Sequence, residues 1–149
     1  MSVIRVMIVD NHAMTRRSIR VILKNAPDIH VVGEASSGEF ALSRVVELQP
    51  DLILMDVAMS KMDGLTATQQ LQNLPHPPYV LIFSIYADVS MAIKAFQWGA
   101  RGVLLKTHPH DELLMAIRYV MEGKRVVSAE LQRQPSAQQL DGDILSISG

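Results

Sequence analysis

The chain has 149 residues, about one domain's worth and enough to bury a sizeable core. It is 48% hydrophobic and 19% charged, with a formal net charge of -1 and no cysteine, which excludes disulfides and thiolate chemistry and lacks the basic excess of a nucleic-acid module. No apolar run approaches the roughly 18 residues of a membrane span, and the opening Met-Ser-Val-Ile-Arg-Val lacks the charged-then-apolar layout of a signal peptide, so a soluble cytoplasmic domain with no membrane partner is expected.

In chain order, apolar β-rich runs at 3–9, 30–35, 52–56, 79–84 and 102–105 alternate with segments of helical period at 13–25, 38–48, 65–74, 88–98 and 110–122. The strands are continuously apolar rather than alternating, as expected when helices cover both faces of a parallel sheet. Ala41, Val45 and Leu48 fall at i, i+4, i+7 in the second helix, as do Leu113, Ile117 and Val120 in the fifth. Ser36 and Glu39 match a capping box before the second helix, while Asn25-Ala26-Pro27 and Leu74-Pro75 end the first and third. Pro109, Asp111 and Glu112 suit the first turn of the fifth. The pattern predicts a doubly wound (βα)₅ α/β fold over 1–123. After Gly123 the character changes: residues 134–149 are small and polar, with a Pro and two Gly, so 124–149 read as a linker or tail in which Ala129-Glu130-Leu131-Gln132-Arg133 could extend helix.

Polar residues end four of the strands. Asp10 follows Ile-Arg-Val-Met-Ile-Val, Asp56 follows Leu-Ile-Leu-Met, Ser84 follows Tyr-Val-Leu-Ile-Phe, and Lys106 follows Gly-Val-Leu-Leu. In an open parallel sheet these ends share one edge, outside which ligands bind. Read singly, Asp10 or Asn11 caps the first helix, Ser84 caps the fourth and Lys106 is solvated. Read together, they suit phosphoryl chemistry. A carboxylate such as Asp56 can attack phosphorus and form an aspartyl phosphate. Mg²⁺ on the oxygens of Asp10 and Asn11 would neutralise the developing charge, and Lys106 and the Ser84 hydroxyl would hold phosphoryl oxygens.

The segments Val9-Asp10-Asn11-His12, Leu54-Met55-Asp56-Val57-Ala58-Met59, Met62-Asp63-Gly64, Phe83-Ser84 and Gly99-Ala100-Arg101-Gly102-Val103-Leu104-Leu105-Lys106 resemble the receiver domain of two-component response regulators. The likeness covers residues 3–123. The Asp-x-His opening, the Gly-Ala-Arg-Gly-x-Leu-Leu-Lys block and the exit Ala116-Ile117-Arg118…Gly123-Lys124 are most similar to receivers that precede a LuxR-type helix-turn-helix. The resemblance implies a flavodoxin-like sheet with order 2-1-3-4-5 and Asp56 as phosphoacceptor. It implies a Mg²⁺ site of Asp10, Asn11, Asp56 and the Ala58 backbone carbonyl, with Ser84 and Lys106 on the phosphoryl group. It further implies a signalling face on the fourth helix, fifth strand and fifth helix. The implied partners are a sensor histidine kinase and a second copy in a homodimer, with DNA reached only through an output domain outside this chain.

The chain departs from the family pattern at four positions. Asn11 replaces a common second acid, Ser60 the usual Pro, Val103 a usual aromatic three before the lysine, and Thr107 a frequent Pro or Asp. Tyr86 or Phe83 could stand in for the missing aromatic. Asn11 and Val103 support an alternative, a pseudo-receiver that interacts without taking phosphate. A cobalamin-binding flavodoxin-like domain is a further alternative, because Asp10-Asn11-His12 begins an Asp-x-His-x-x-Gly pattern, but Thr15 stands where that pattern needs Gly. His108 and His110 read as exposed loop histidines, and Met55, Met59 and Met62 as packing residues. Trp98 suits either core or a partner surface.

Overall fold

The computed structural model describes residues 2–57, 63–106, 110–140 and 142–147, and of residue 110 the backbone only. Its centre is a parallel sheet built from β1 (Ile4–Val9), β2 (Ile29–Ala35), β3 (Leu52–Met55), β4 (Tyr79–Ser84) and β5 (Gly102–Leu105). The strand order runs β2-β1-β3-β4-β5, the expected doubly wound arrangement, and continues through two further parallel strands, β6 (Val126–Ser128) and β7 (Leu145–Ile147). α1 (Ala13–Lys24), α2 (Gly38–Leu48), α3 (Gly64–Leu71), α4 (Val89–Gln97) and α5 (His110–Met121) alternate with the first five strands.

The continuously apolar strands bury both faces. Met7, Val9, Ile53, Met55, Val80, Ile82 and Val103 point to a core closed by α2, α3 and α4. Their neighbours Val6, Ile8, Leu52, Leu54, Leu81, Phe83 and Leu104 point to a second core closed by Ile19 and Leu23 of α1 and by Leu113, Ile117 and Val120 of α5. Alternate residues of each strand therefore serve opposite cores, which is why the runs read as unbroken hydrophobicity. Met55 and Val103 are packing residues. Trp98 is half-buried against the first core, with the Lys94 ammonium 4.6 Å from its ring centroid.

Among the described residues, side chains cap three helices. Ser37 accepts from Phe40 N–H at 3.1 Å, Asp63 from Thr66 N–H at 2.8 Å and Asp88 from Met91 N–H at 2.8 Å. Each such bond satisfies an otherwise orphaned amide and contributes about 1 kcal/mol. The cap of α2 is thus Ser37, one residue after the Ser36 that the capping-box spacing selects. Helix α3 is shorter than expected and stops at Leu71.

The polar stretch after α5 differs from the expected linker. Besides β6 and β7 it forms α6 (Ala129–Gln132) and a 3-10 helix (Pro135–Gln139). Val126, Val127, Leu131, Leu140, Ile144 and Ile147 are buried, so apolar residues scattered too sparsely to show a period cover the β5 edge. Among the described residues no helix is long and apolar enough to cross a membrane.

Candidate functional site

Asp10, Asp56 and Ser84 directly follow or end β1, β3 and β4, and Lys106 follows β5. Asp10 donates its N–H to Ala35 O at 3.0 Å and Asp56 its N–H to Val9 O at 2.9 Å, so the backbone of each is held to the neighbouring strand at the sheet's carboxyl edge. Lys106 N–H donates to Ser84 O at 2.7 Å, which locks the fourth and fifth strand ends together. Asp10, Asp56 and Ser84 are all buried, at 1%, 5% and 4% exposure.

The side chains of Asp10, Asp56 and Lys106 meet at this edge. Lys106 Nζ donates to Asp10 Oδ2 at 2.5 Å and lies 3.7 Å from Asp56 Oδ1. One ammonium thus offsets two carboxylates in a space largely withdrawn from water, where an unpaired charge would be costly. The helix-cap readings of these residues do not hold. The residue before α1 is His12, with no side-chain cap bond, and the cap of α4 is Asp88. Asp10 Oδ1 does accept a bond, from His12 N–H at 2.8 Å, which fixes the carboxylate rather than the helix.

Sequence reasoning left His12 without a role. Its Nδ1 lies 3.4 Å from Asp10 Oδ1, and donor atoms of Asp10, His12 and Asp56 all fall within 4.8 Å of one another. The Asp-x-His spacing was the available signal. Asn11 is exposed at the bend before α1. The Ala58 carbonyl, Met59, Ser60, Met62, Thr107, His108 and the His110 side chain lie outside the described residues. Two hard carboxylate donors at a partly enclosed edge suit an oxygen-preferring dication such as Mg²⁺.

Two supports for the site come from elsewhere in the chain. Arg16 of α1 donates Nη1 to Asp10 O at 2.6 Å and Nε to Glu34 Oε1 at 2.7 Å, bracing the end of β1 against β2. Burial pushes the Glu34 carboxyl up, but hydrogen bonds from Arg20 and Arg16 outweigh it and hold the group below its ordinary range. The second is Gly64, where an added Cβ would fall 2.1 Å from Asp56 O. Only a residue without a side chain lets α3 begin so near the acceptor strand. Val103 carries no ring into the site. Phe83 is buried in the α1–α5 core, and Tyr86 is 72% exposed with its hydroxyl 3.2 Å from Asp88 Oδ2.

Residues 6–118 match the family described as response regulator receiver domain. The chain is 38% identical over 121 residues to the transcriptional regulatory protein LiaR of Bacillus subtilis, which covers 81% of this chain and 57% of that protein. It is 35% identical over 126 residues to the nitrate/nitrite response regulator NarL of Escherichia coli, covering 85% of this chain and 58% of that one. The chain thus spans less than two thirds of the length of these relatives. Among solved structures, a LuxR-family two-component response regulator from Aurantimonas superposes with a TM-score of 0.87 at 28% identity, covering 94% of this chain and 100% of that chain. The receiver domain of a NarL regulator from Mycobacterium tuberculosis superposes with a TM-score of 0.79 at 30% identity, covering 83% and 100%. The match over residues 6–118, the identity to these regulators and the superposition on these receivers place the chain in the response regulator receiver domain family, among receivers like those of LuxR-type regulators.

Proposed function

We propose that the chain is a phosphorylation-controlled switch whose phosphoacceptor is Asp56. The observation that carries this reading is the convergence of Asp10, Asp56 and Lys106 at one sheet edge, with the Lys106 ammonium between two buried carboxylates. A carboxylate oxygen of Asp56 attacks the phosphorus of a phosphohistidine on a sensor histidine kinase. The P–O bond forms as the P–N bond breaks, and the imidazole leaves with the electron pair. Lys106 exchanges its contact with Asp10 for one with the new phosphoryl oxygens, and the Ser84 hydroxyl donates to another.

Asp10, Asp56, Asn11 and the Ala58 carbonyl would hold Mg²⁺, which when bound offsets negative charge on the transferring group. The product carries about −1.5 to −2 charge where a carboxylate stood. That charge biases α4, β5 and α5 between two arrangements. In a regulator like its relatives, this face would control dimer formation and a LuxR-type DNA-binding output domain that lies outside these residues. The setting is the cytoplasm, where the kinase phosphoryl donor is made. The chain is a phosphoacceptor rather than an enzyme, with at most slow self-dephosphorylation.

The neutral Asn11 favours a second reading, a pseudo-receiver that binds partners without taking phosphate. Intact-mass measurement after treatment with acetyl phosphate and Mg²⁺ separates the two. A gain of one phosphoryl group, absent in Asp56→Asn, is expected. An unchanged wild-type mass, or an Asp56→Asn protein that gains acid-labile phosphate at the wild-type rate, overturns the switch reading.

A further inference from the structure

Residues 125–140 and 142–147 lie against α4 and β5 through specific contacts, and their pairing with the sheet is short. β6 pairs with β5 at only two positions, Gly102 with Val126 and Val103 with Val127. Leu131, Leu140 and Ile144 share the apolar cluster of Val89, Val103 and Leu105. Gln134 Oε1 accepts the N–H of Val89 at 3.1 Å, standing at the start of α4. Arg125 lies 5.7 Å from the Phe96 ring centroid and ion-pairs with Asp143 at 2.6 Å. The buried Ser128 hydroxyl accepts the N–H of Leu105 at 2.9 Å.

The strand is shaped for this neighbour. A Cβ on Gly102 would fall 2.6 Å from Val126 Cγ2 and 3.2 Å from its carbonyl oxygen. A solvent-open groove of about 270 Å³ runs between Ile93, Phe96 and Gln97 of α4 and Arg125, Leu140 and Ile144. A two-rung ladder toward the end of the sheet opens more readily than the sheet centre.

We propose that residues 124–147 are a detachable cover, the chain's own occupant of the α4–β5 face, and that it competes with any partner that uses this face. Its seat is tied to the site through consecutive residues, since Ser128 holds Leu105 and the next residue, Lys106, bridges Asp10 and Asp56. In a coupling that rests on the phosphoacceptor reading above, a phosphoryl group on Asp56 draws Lys106 off Asp10, shifts the end of β5 and loosens the cover.

Hydrogen exchange of the full chain, read by mass spectrometry, tests both parts. In the resting protein, amides of 126–128 and 145–147 are expected to exchange together, more slowly than free chain and faster than β1 and β3. The double variant Arg125→Ala, Gln134→Ala changes two half-buried side chains outside the core. It is expected to speed exchange in the segment and in the first turn of α4 by about tenfold, with β1 and β3 unchanged. Free-chain exchange in the resting wild type, or an α4 first turn indifferent to the double variant, overturns the cover. In a second arm, acetyl phosphate and Mg²⁺ are added and intact mass is measured on the same sample. Exchange over 124–147 is expected to rise roughly threefold or more in the phosphorylated protein. A phosphorylated sample with unchanged exchange overturns the coupling alone. A sample that gains no mass overturns the phosphoacceptor reading and the coupling with it, and the first arm still decides the cover.

Discussion

Lys106 Nζ stands 2.5 Å from Asp10 Oδ2, an ion pair between residues 96 positions apart. The lysine is 11% exposed at its side chain and the aspartate 2%, so neither has much water to fall back on. Lys106→Met would remove the ammonium that lies between the buried carboxylates Asp10 and Asp56. Removing one partner of a buried pair costs about 3 kcal/mol. The variant should lose about that much in the absence of divalent ions and recover most of it in millimolar Mg²⁺, because a ligand that binds only the folded state stabilises it by mass action. Urea unfolding with and without Mg²⁺ checks this. A loss of the same size in both conditions would show that the lysine is not standing in for a cation.

Asn11 follows Asp10 and is exposed, and in the proposed Mg²⁺ site it would be a neutral ligand. Asn11→Asp adds a carboxylate beside Asp10 and should strengthen Mg²⁺ binding, although like-charge repulsion in the metal-free site offsets part of the gain. Magnesium titrations of both proteins at equal ionic strength measure the difference. Equal or weaker affinity in the variant would remove Asn11 from the metal site.

Gly64→Ala probes the acceptor strand without touching a charge. The new Cβ would sit 2.1 Å from Asp56 O and 2.8 Å from Asp56 C, both backbone atoms that cannot swing aside as a side-chain tip can. Overpacking of this kind typically costs about 1–3 kcal/mol. Because relief comes by moving Asp56, phosphoryl uptake should fall along with the denaturation midpoint. A variant as stable and as readily phosphorylated as wild type would mean that α3 moves away freely.

These positions show where sequence and structure part company. Asp10, Asp56, Ser84 and Lys106 were legible because parallel strands bring their carboxyl ends to one edge whatever the loops between them do. His12 was not, since its approach to Asp10 depends on how the chain bends between β1 and α1. Ser36 and Ser37 offer the same hydroxyl one residue apart, and only the backbone angle at Ser37 decides which meets Phe40 N–H. The segments Val126–Ser128 and Leu145–Ile147 are too short to show a period, and each is a strand only because a neighbouring edge supplies its partners.

The same folded segment bears on DNA. The formal net charge is -1, and among the described residues those after α5 lie along the sheet rather than forming a helix-turn-helix. A gel-shift assay at physiological salt should show no sequence-selective complex, phosphorylated or not. Selective nanomolar binding would mean that the receiver itself contacts DNA.

Arg118 of α5 reaches across to Asp28, in the turn before β2, and donates at 3.0 and 2.9 Å to its two carboxylate oxygens. These bonds hold the Asp28 carboxyl below its ordinary value of 3.8 against a smaller opposing effect of burial, and they raise the Arg118 guanidinium. With the folded-state value depressed, the unfolded chain binds the proton more readily. The pair's contribution is therefore fully present above 3.8 and is lost as pH falls through the lower, folded-state value. Because the Arg118 side chain is 43% exposed, solvent screening keeps the contribution below about 1 kcal/mol. Asp28→Asn should thus lower stability by less than about 1 kcal/mol at pH 7, with the gap closing toward pH 3 and narrowing in high salt. Urea denaturation of both proteins across that range provides the measurement. A gap that persists or widens in acid would mean that Asp28 stabilises the fold by packing rather than by its charge.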